Sequence, residues 1–137
     1  MTDKIMIDTN VWVYLYAKNP QEKYQKARQL VSDSFDDISI STQILGELYK
    51  VLTQKNLTTQ QEAKQIIIEL STNFQVWAID TVTVLNALEI NYNYGYSYWD
   101  SLVLSAALLQ NCTILYSEDM QHNQLVAQKT RIINPFL

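Results

Sequence analysis

The sequence predicts an α/β fold, a three-layer α/β/α sandwich around a short central parallel sheet of four to five strands. Three observations predict it. Short apolar runs rich in β-branched residues alternate with longer segments of helical period, the order produced by parallel strands joined through helical crossovers. Most of those runs are continuous rather than alternating in polarity, as a sheet covered on both faces requires. Gly and Pro number 2 each in 137 residues, too few for a turn-rich all-β chain.

Each element follows from local pattern. Lys4-Ile7 is an apolar run before the polar triplet Asp8-Thr9-Asn10 and reads as a buried strand. Val11 to Tyr16 reads as helical, ending near Asn19-Pro20, and Gln21-Ser32 sets Tyr24, Ala27, Leu30 and Val31 at helical spacing. Ile38-Ser41 alternates apolar and polar residues as a second strand. A helix follows from Thr42 to about Lys55, with Ile44, Leu45, Leu48, Val51 and Leu52 on one face. Thr59-x-x-Glu62 is a capping-box pattern ahead of Ala63, Ile66, Ile67 and Leu70. Phe74-Ile79 is the third strand; Asp80 is placed to cap a helix over Val82 to Tyr92, which Gly95 ends. Ser97-x-x-Asp100 opens a further helix, almost wholly apolar from Leu102 to Leu109 and therefore buried. Thr113-Tyr116 is the fourth strand, and Arg131-Ile133 a short fifth.

Length and composition set the broad class. At 137 residues and 15.9 kDa the chain is the size of one domain, spanning 1–137, and can bury roughly 68% of its unfolded surface without disulfides. A hydrophobic share of 47% and a charged share of 18% exclude a disordered chain and a coiled coil. The single Cys112 excludes a disulfide framework and a multi-cysteine zinc site, and suits a buried apolar filler. No apolar run approaches the ~20 residues that span a bilayer, and Met1-Thr2-Asp3-Lys4 lacks a leader's layout, so a cytoplasmic domain without a membrane partner is expected.

Open α/β sheets bind ligands outside the carboxyl ends of their strands. Asp8 stands directly after the first strand; Ser117, Glu118 and Asp119 follow the fourth. Asp100 lies in the first turn of the buried helix. Glu47 is six positions past Ser41, about 9 Å along a helix, and its side chain tilts back toward the same rim. Four acids from four segments, Asp8, Glu47, Asp100 and Asp119, can therefore converge. Gathered carboxylates call for a hard divalent cation, Mg²⁺ or Mn²⁺. Each acid also has a structural reading: Asp8 and Asp100 as helix caps, Glu47 as a solvated helix face, Asp119 as a loop acid.

Four ordered segments then carry a resemblance. Lys4-Ile-Met-Ile-Asp-Thr-Asn-Val11, Ser41-Thr-Gln-Ile-Leu-Gly-Glu-Leu48, Ser97-Tyr-Trp-Asp-Ser-Leu-Val-Leu-Ser-Ala-Ala107 and Ile114-Leu-Tyr-Ser-Glu-Asp-Met-Gln-His122 resemble the PIN domain, and more narrowly the VapC-type ribonuclease toxins of bacterial toxin–antitoxin pairs. The closing Arg131-Ile-Ile-Asn-Pro-Phe136 resembles the tail of one such subgroup. The resemblance implies that Asp8, Glu47, Asp100 and Asp119 hold Mg²⁺ or Mn²⁺ for phosphodiester hydrolysis of RNA. It implies supporting roles for Thr9, Asn10 and Ser117, an accompanying acid at Glu118, a homodimer, and a small cognate antitoxin covering the cleft. Asn123 departs from the Gly usual after the His; Asn tolerates the left-handed backbone better than most residues.

Acidity does not exclude an RNA substrate. The chain has 14 acids and 10 basic residues, a net charge of -4. Setting the four rim acids aside leaves 10 against 10, and two divalent ions would cancel the net charge. Lys50, Lys55 and Lys64 are placed either to touch phosphates or to form solvated helix faces. Tyr92, Tyr94, Tyr96, Tyr98 and Trp99 can stack unpaired bases or pack in a core or dimer. No Ser or Cys nucleophile with a paired His is evident, and His122 is the only His. A receiver domain, with Asp80 as phosphoacceptor, would want a second acid where Thr9 stands and a Lys where Asn134-Pro135 stands. A haloacid-dehalogenase-type phosphatase would want Asp where Asn10 stands. A catalytically silent RNA-binding or protein-interaction module, and a nuclease without antitoxin, are the remaining alternatives.

Overall fold

A computed structural model describes residues 3–137; Met1 and Thr2, on which the leader reading partly rests, lie outside the described residues. The strands are β1 (Ile5–Ile7), β2 (Ile38–Ser41), β3 (Gln75–Trp77), β4 (Ile114–Tyr116), β5 (Leu125–Val126) and β6 (Thr130–Ile133). They form one sheet of order β3-β2-β1-β4-β6-β5, parallel except for β5, which runs antiparallel to β6. The sheet thus has six strands where four to five were expected. The added strand, β5, is two residues long, too short for any period to mark it.

Helices α1 (Thr9–Trp12), α2 (Tyr14–Ala17), α3 (Gln21–Ser34), α4 (Thr42–Gln54), α5 (Gln60–Asn73), α6 (Thr81–Tyr94) and α7 (Tyr98–Leu109) flank the sheet. The first expected helix is two short ones that meet at Val13. A 3₁₀ turn over Phe35–Asp37 feeds β2. The caps form as the residue types dictate. Thr59 and Glu62 close a capping box, Asp80 accepts from the Thr83 N–H, and Gly95 ends α6 at φ +76°. Hydrogen bonds from Thr83 hold the Asp80 carboxyl below the usual carboxylate range, so that acid serves its helix.

All four residues of β2 are buried, Ser39 and Ser41 included, despite the polar alternation of Ile38-Ser41. The strand is central and covered on both faces; Ser41 keeps its polarity by capping α4. Trp12, Ile40, Ile44, Leu48, Leu104 and Leu115 belong to one core, with Cys112 among the fully buried residues and its thiol pushed up to about 11 by burial. The chain order turns at β1, which leads outward to β2 and β3 on one side and meets β4 on the other. A crevice between β1 and β4 at their carboxyl ends is the position such a reversal creates for a ligand.

Candidate active site at the carboxyl edge of the sheet

The chain leaves β1 through Asp8, whose N–H still donates to the Tyr116 carbonyl at 2.9 Å. Its Oδ1 caps α1 by accepting from the Thr9 N–H at 2.8 Å, and its Oδ2 accepts from the Ser117 hydroxyl at 3.0 Å. Asp8 is 5% exposed. Burial raises its pKa to about 7; the bonds from Ser117 and Thr9 pull it down, while the charges of Asp100 and Glu47 add to the rise. The cap reading is therefore correct, yet it accounts for one oxygen only.

Asn10, in the turn that Asp8 caps, ties the rim together. Its amide nitrogen lies 3.1 Å from Asp119 Oδ2, 3.3 Å from Ser117 Oγ and 3.4 Å from Asp8 Oδ2, and its carbonyl oxygen accepts from the Glu118 N–H at 3.1 Å. The Thr9 hydroxyl donates to Glu47 Oε1 at 3.0 Å, so the α4 acid does reach back to the rim. At Asp100, the backbone N–H donates to Ser97 Oγ at 3.1 Å. Burial raises the Asp100 pKa, the Asp119 charge adds to it, and a separate side-chain hydrogen bond from Ser97 offsets part. At the exposed Glu62 and Asp80, by contrast, capping hydrogen bonds outweigh burial and hold the carboxyls below the usual range.

One cleft of about 570 Å³ is lined by Asp8, Thr9, Asn10, Glu47, Asp100, Glu118 and Asp119. Ser117 is fully buried beside it. Glu118 is held apart from the other acids by an ion pair with Lys23 and a hydrogen bond from the Tyr14 hydroxyl at 3.2 Å. Among the described residues this is the only carboxylate–ammonium pair within 4 Å, so no cationic side chain neutralises Asp8, Glu47, Asp100 or Asp119. Among the described residues, too, no three Asp, Glu, His or Cys side chains already close into a metal-holding set. Hydroxyl and amide donors from Thr9, Asn10 and Ser117 reach several of the carboxylate oxygens. The donor chemistry, all hard oxygen, suits Mg²⁺ or Mn²⁺.

His122 is absent from the cleft. Its Nδ1 accepts from the Asn134 N–H at 2.9 Å, which fixes the C-terminal turn, and Asn123 takes φ +70°, the left-handed backbone expected where a Gly is usual. Tyr94 and Tyr96 are committed to the loop around β5 through Ala127, Gln121 and Gln124, whereas Tyr92 and Trp99 are exposed. Lys50 and Lys55 line the cleft; Lys64 lies in a separate depression with Tyr49, Thr59, Gln60 and Gln61. The sequence reading missed Gln43, whose Nε2 approaches Glu47 Oε2 at 3.4 Å and donates to the Trp99 carbonyl at 3.1 Å. Its spacing of four from Glu47 on one helix was the available signal.

Fold and cleft define a class: an α/β protein with a mostly parallel sheet and an acid-lined crevice at the strand ends. The chain belongs to the PIN domain family, whose model matches residues 5–127. Among solved structures it is similar to the sarcin–ricin-loop-cleaving toxin VapC20 of Mycobacterium tuberculosis, at TM-score 0.70 and 21% identity over 85% of this chain and 90% of that one. It is also similar to a chain of a toxin–antitoxin complex from Klebsiella pneumoniae, at TM-score 0.74 and 14% identity over 96% and 98%. A DNA-bound VapBC from Salmonella typhimurium gives TM-score 0.70 and 14% identity over 96% and 97%. The comparison with curated proteins finds no match. Among the described residues no helix is long and apolar enough to cross a membrane.

Proposed function

We propose that the chain is a single-domain, Mg²⁺- or Mn²⁺-dependent endoribonuclease of the cytoplasm and the toxin of a type II toxin–antitoxin pair. One observation carries this reading: four carboxylates from four separate segments line a single cleft with no cationic side chain paired to them. Membership of the PIN family supports it, as do structural relatives that are a sarcin–ricin-loop-cleaving toxin and chains of toxin–antitoxin complexes. Those relatives also support a small antitoxin as partner, and a homodimer accords with the same family.

Asp8, Glu47, Asp100 and Asp119 would hold the ion. When bound, a divalent ion supplies charge neutralisation at the phosphate and activation of water. Thr9 orients Glu47 and Ser117 orients Asp8, while Asn10 holds Asp8 and Asp119 in one register. Burial raises the Asp8 pKa in the metal-free chain, so ion binding must displace its proton and metal affinity should weaken as pH falls. Glu118 works from outside this set by docking α3, through Lys23, against the cleft wall.

Incubation of the purified chain with mixed structured RNAs tests the reading. The expected result is Mg²⁺- or Mn²⁺-dependent cleavage, abolished by EDTA and by Asp119→Asn. Absence of cleavage under every metal condition would favour the silent binding module instead.

A further inference from the structure

The cleft does not end at its acids. It continues along α4, where Glu47, Lys50, Val51, Gln54 and Lys55 line it in turn. These positions stand at i, i+3, i+4, i+7 and i+8, one face of a helix, so one wall passes from an acid to two lysines. The distance from Glu47 to Lys55 is about 12 Å along the helix axis, the length of about three to four nucleotides at a stacked rise of ~3.4 Å. Val13 and Val51 add apolar lining between the ends. Both lysines are exposed, and among the described residues neither has a carboxylate within 4 Å. Lys23, the basic residue tied to the cleft's Glu118, is already neutralised by it. Cationic charge is therefore free on the α4 flank and spent at Glu118.

We infer that Lys50 and Lys55 hold phosphates of single-stranded RNA on one side of the bond to be cut, so that the strand lies along α4 and the site grips one flank of its substrate. This rests on the ribonuclease reading above. Lys55, the C-cap of α4, also favours the helix dipole. That role affects stability alone and leaves the salt dependence of RNA binding unchanged.

The test joins kinetics to direct binding. In the Lys50→Gln/Lys55→Gln double variant, KM for an RNA of about twelve nucleotides should rise about tenfold with kcat unchanged. The log–log salt slope of RNA affinity should fall by about 1.4, two contacts at ~0.7 each. Lys50→Arg/Lys55→Arg should restore both. Trimming about three nucleotides from one flank should weaken wild-type binding and leave the glutamine variant unaffected, whereas trimming the other flank should affect both proteins equally. Affinities are read by fluorescence anisotropy in the Asp119→Asn background with Mg²⁺, so that binding is measured without cleavage. Equal affinity and salt slope with and without the lysines overturns the inference even if the enzyme cleaves RNA. Lysine-dependent binding by a chain that cleaves nothing upholds the phosphate contacts along α4 and overturns the ribonuclease reading, and with it the place of a cut bond beside them.

Discussion

Helix α7 passes through two environments within a single turn. From Ser101 to Leu108 every residue is buried, and the helix packs across β2, β4 and β6. One position earlier, Asp100 turns a half-buried carboxylate toward a cleft already lined by four others. The body of α7 gains about 1.5–3 kcal/mol for each fully buried large apolar side chain. The rim does the reverse, taking carboxylates out of water and setting like charges side by side, each of which raises the Asp8 pKa. One stretch of chain supplies both the packed layer that stabilises the fold and an acid that the fold must tolerate. Such a contrast is expected where function needs a locally unfavourable arrangement.

The largest effect should come from the packed side. Leu104→Ala opens a cavity at a fully buried position and should cost about 2–5 kcal/mol, read by denaturant unfolding. A smaller loss would mean that the layer can collapse around the gap.

The rim should respond to pH in the opposite sense to an ordinary stabilising carboxylate. The Asp8 pKa is about 7 in the folded state against 3.8 in the unfolded chain. Between those values the native protein holds a proton that the unfolded chain has lost, so metal-free stability should fall as pH rises from about 4 to 7. The penalty, at most on the order of 4 kcal/mol, is complete above about pH 7. Asp8→Asn keeps the cap and should flatten that part of the profile. An unchanged profile would show that Asp8 does not set it.

For catalysis, the amide variants of Asp8, Glu47, Asp100 and Asp119 should each lose about a hundredfold or more in activity, about 2.7 kcal/mol of barrier, because an amide keeps the shape without the charge. Glu118→Gln should be milder, roughly tenfold, since that carboxylate is engaged by Lys23 and Tyr14. A loss as large as that of Asp119→Asn would place Glu118 among the ion's ligands.

Much of this contrast was legible in the sequence, for physical reasons. Long helices carry a repeating apolar face, and caps such as Thr59 and Asp80 carry local chemistry, so both could be read. The acids could be read because strand ends are fixed by topology: Asp8 and Asp119 each follow a strand that pairs with the other. Two-residue β5 has no period to read, and the break at Val13 follows no Gly or Pro. Partnership was equally hidden. That Lys23 neutralises Glu118, and that Gln43 reaches the Trp99 carbonyl at the start of α7, depends on residues brought together only by packing.

The central claim is that the rim acids form a cation site and not merely a set of caps. Melting curves of the wild type and Asp100→Asn, after EDTA treatment and with or without millimolar Mn²⁺, test it most directly. Without metal, Asp100→Asn should melt at or above the wild-type temperature, because it removes one of the repelling charges. Mn²⁺ should stabilise the wild type by about 2.7 kcal/mol at a hundredfold excess over its dissociation constant, and the variant much less. Equal stabilisation of both proteins by Mn²⁺, or of neither, would contradict the account and return Asp100 to the role of a helix cap.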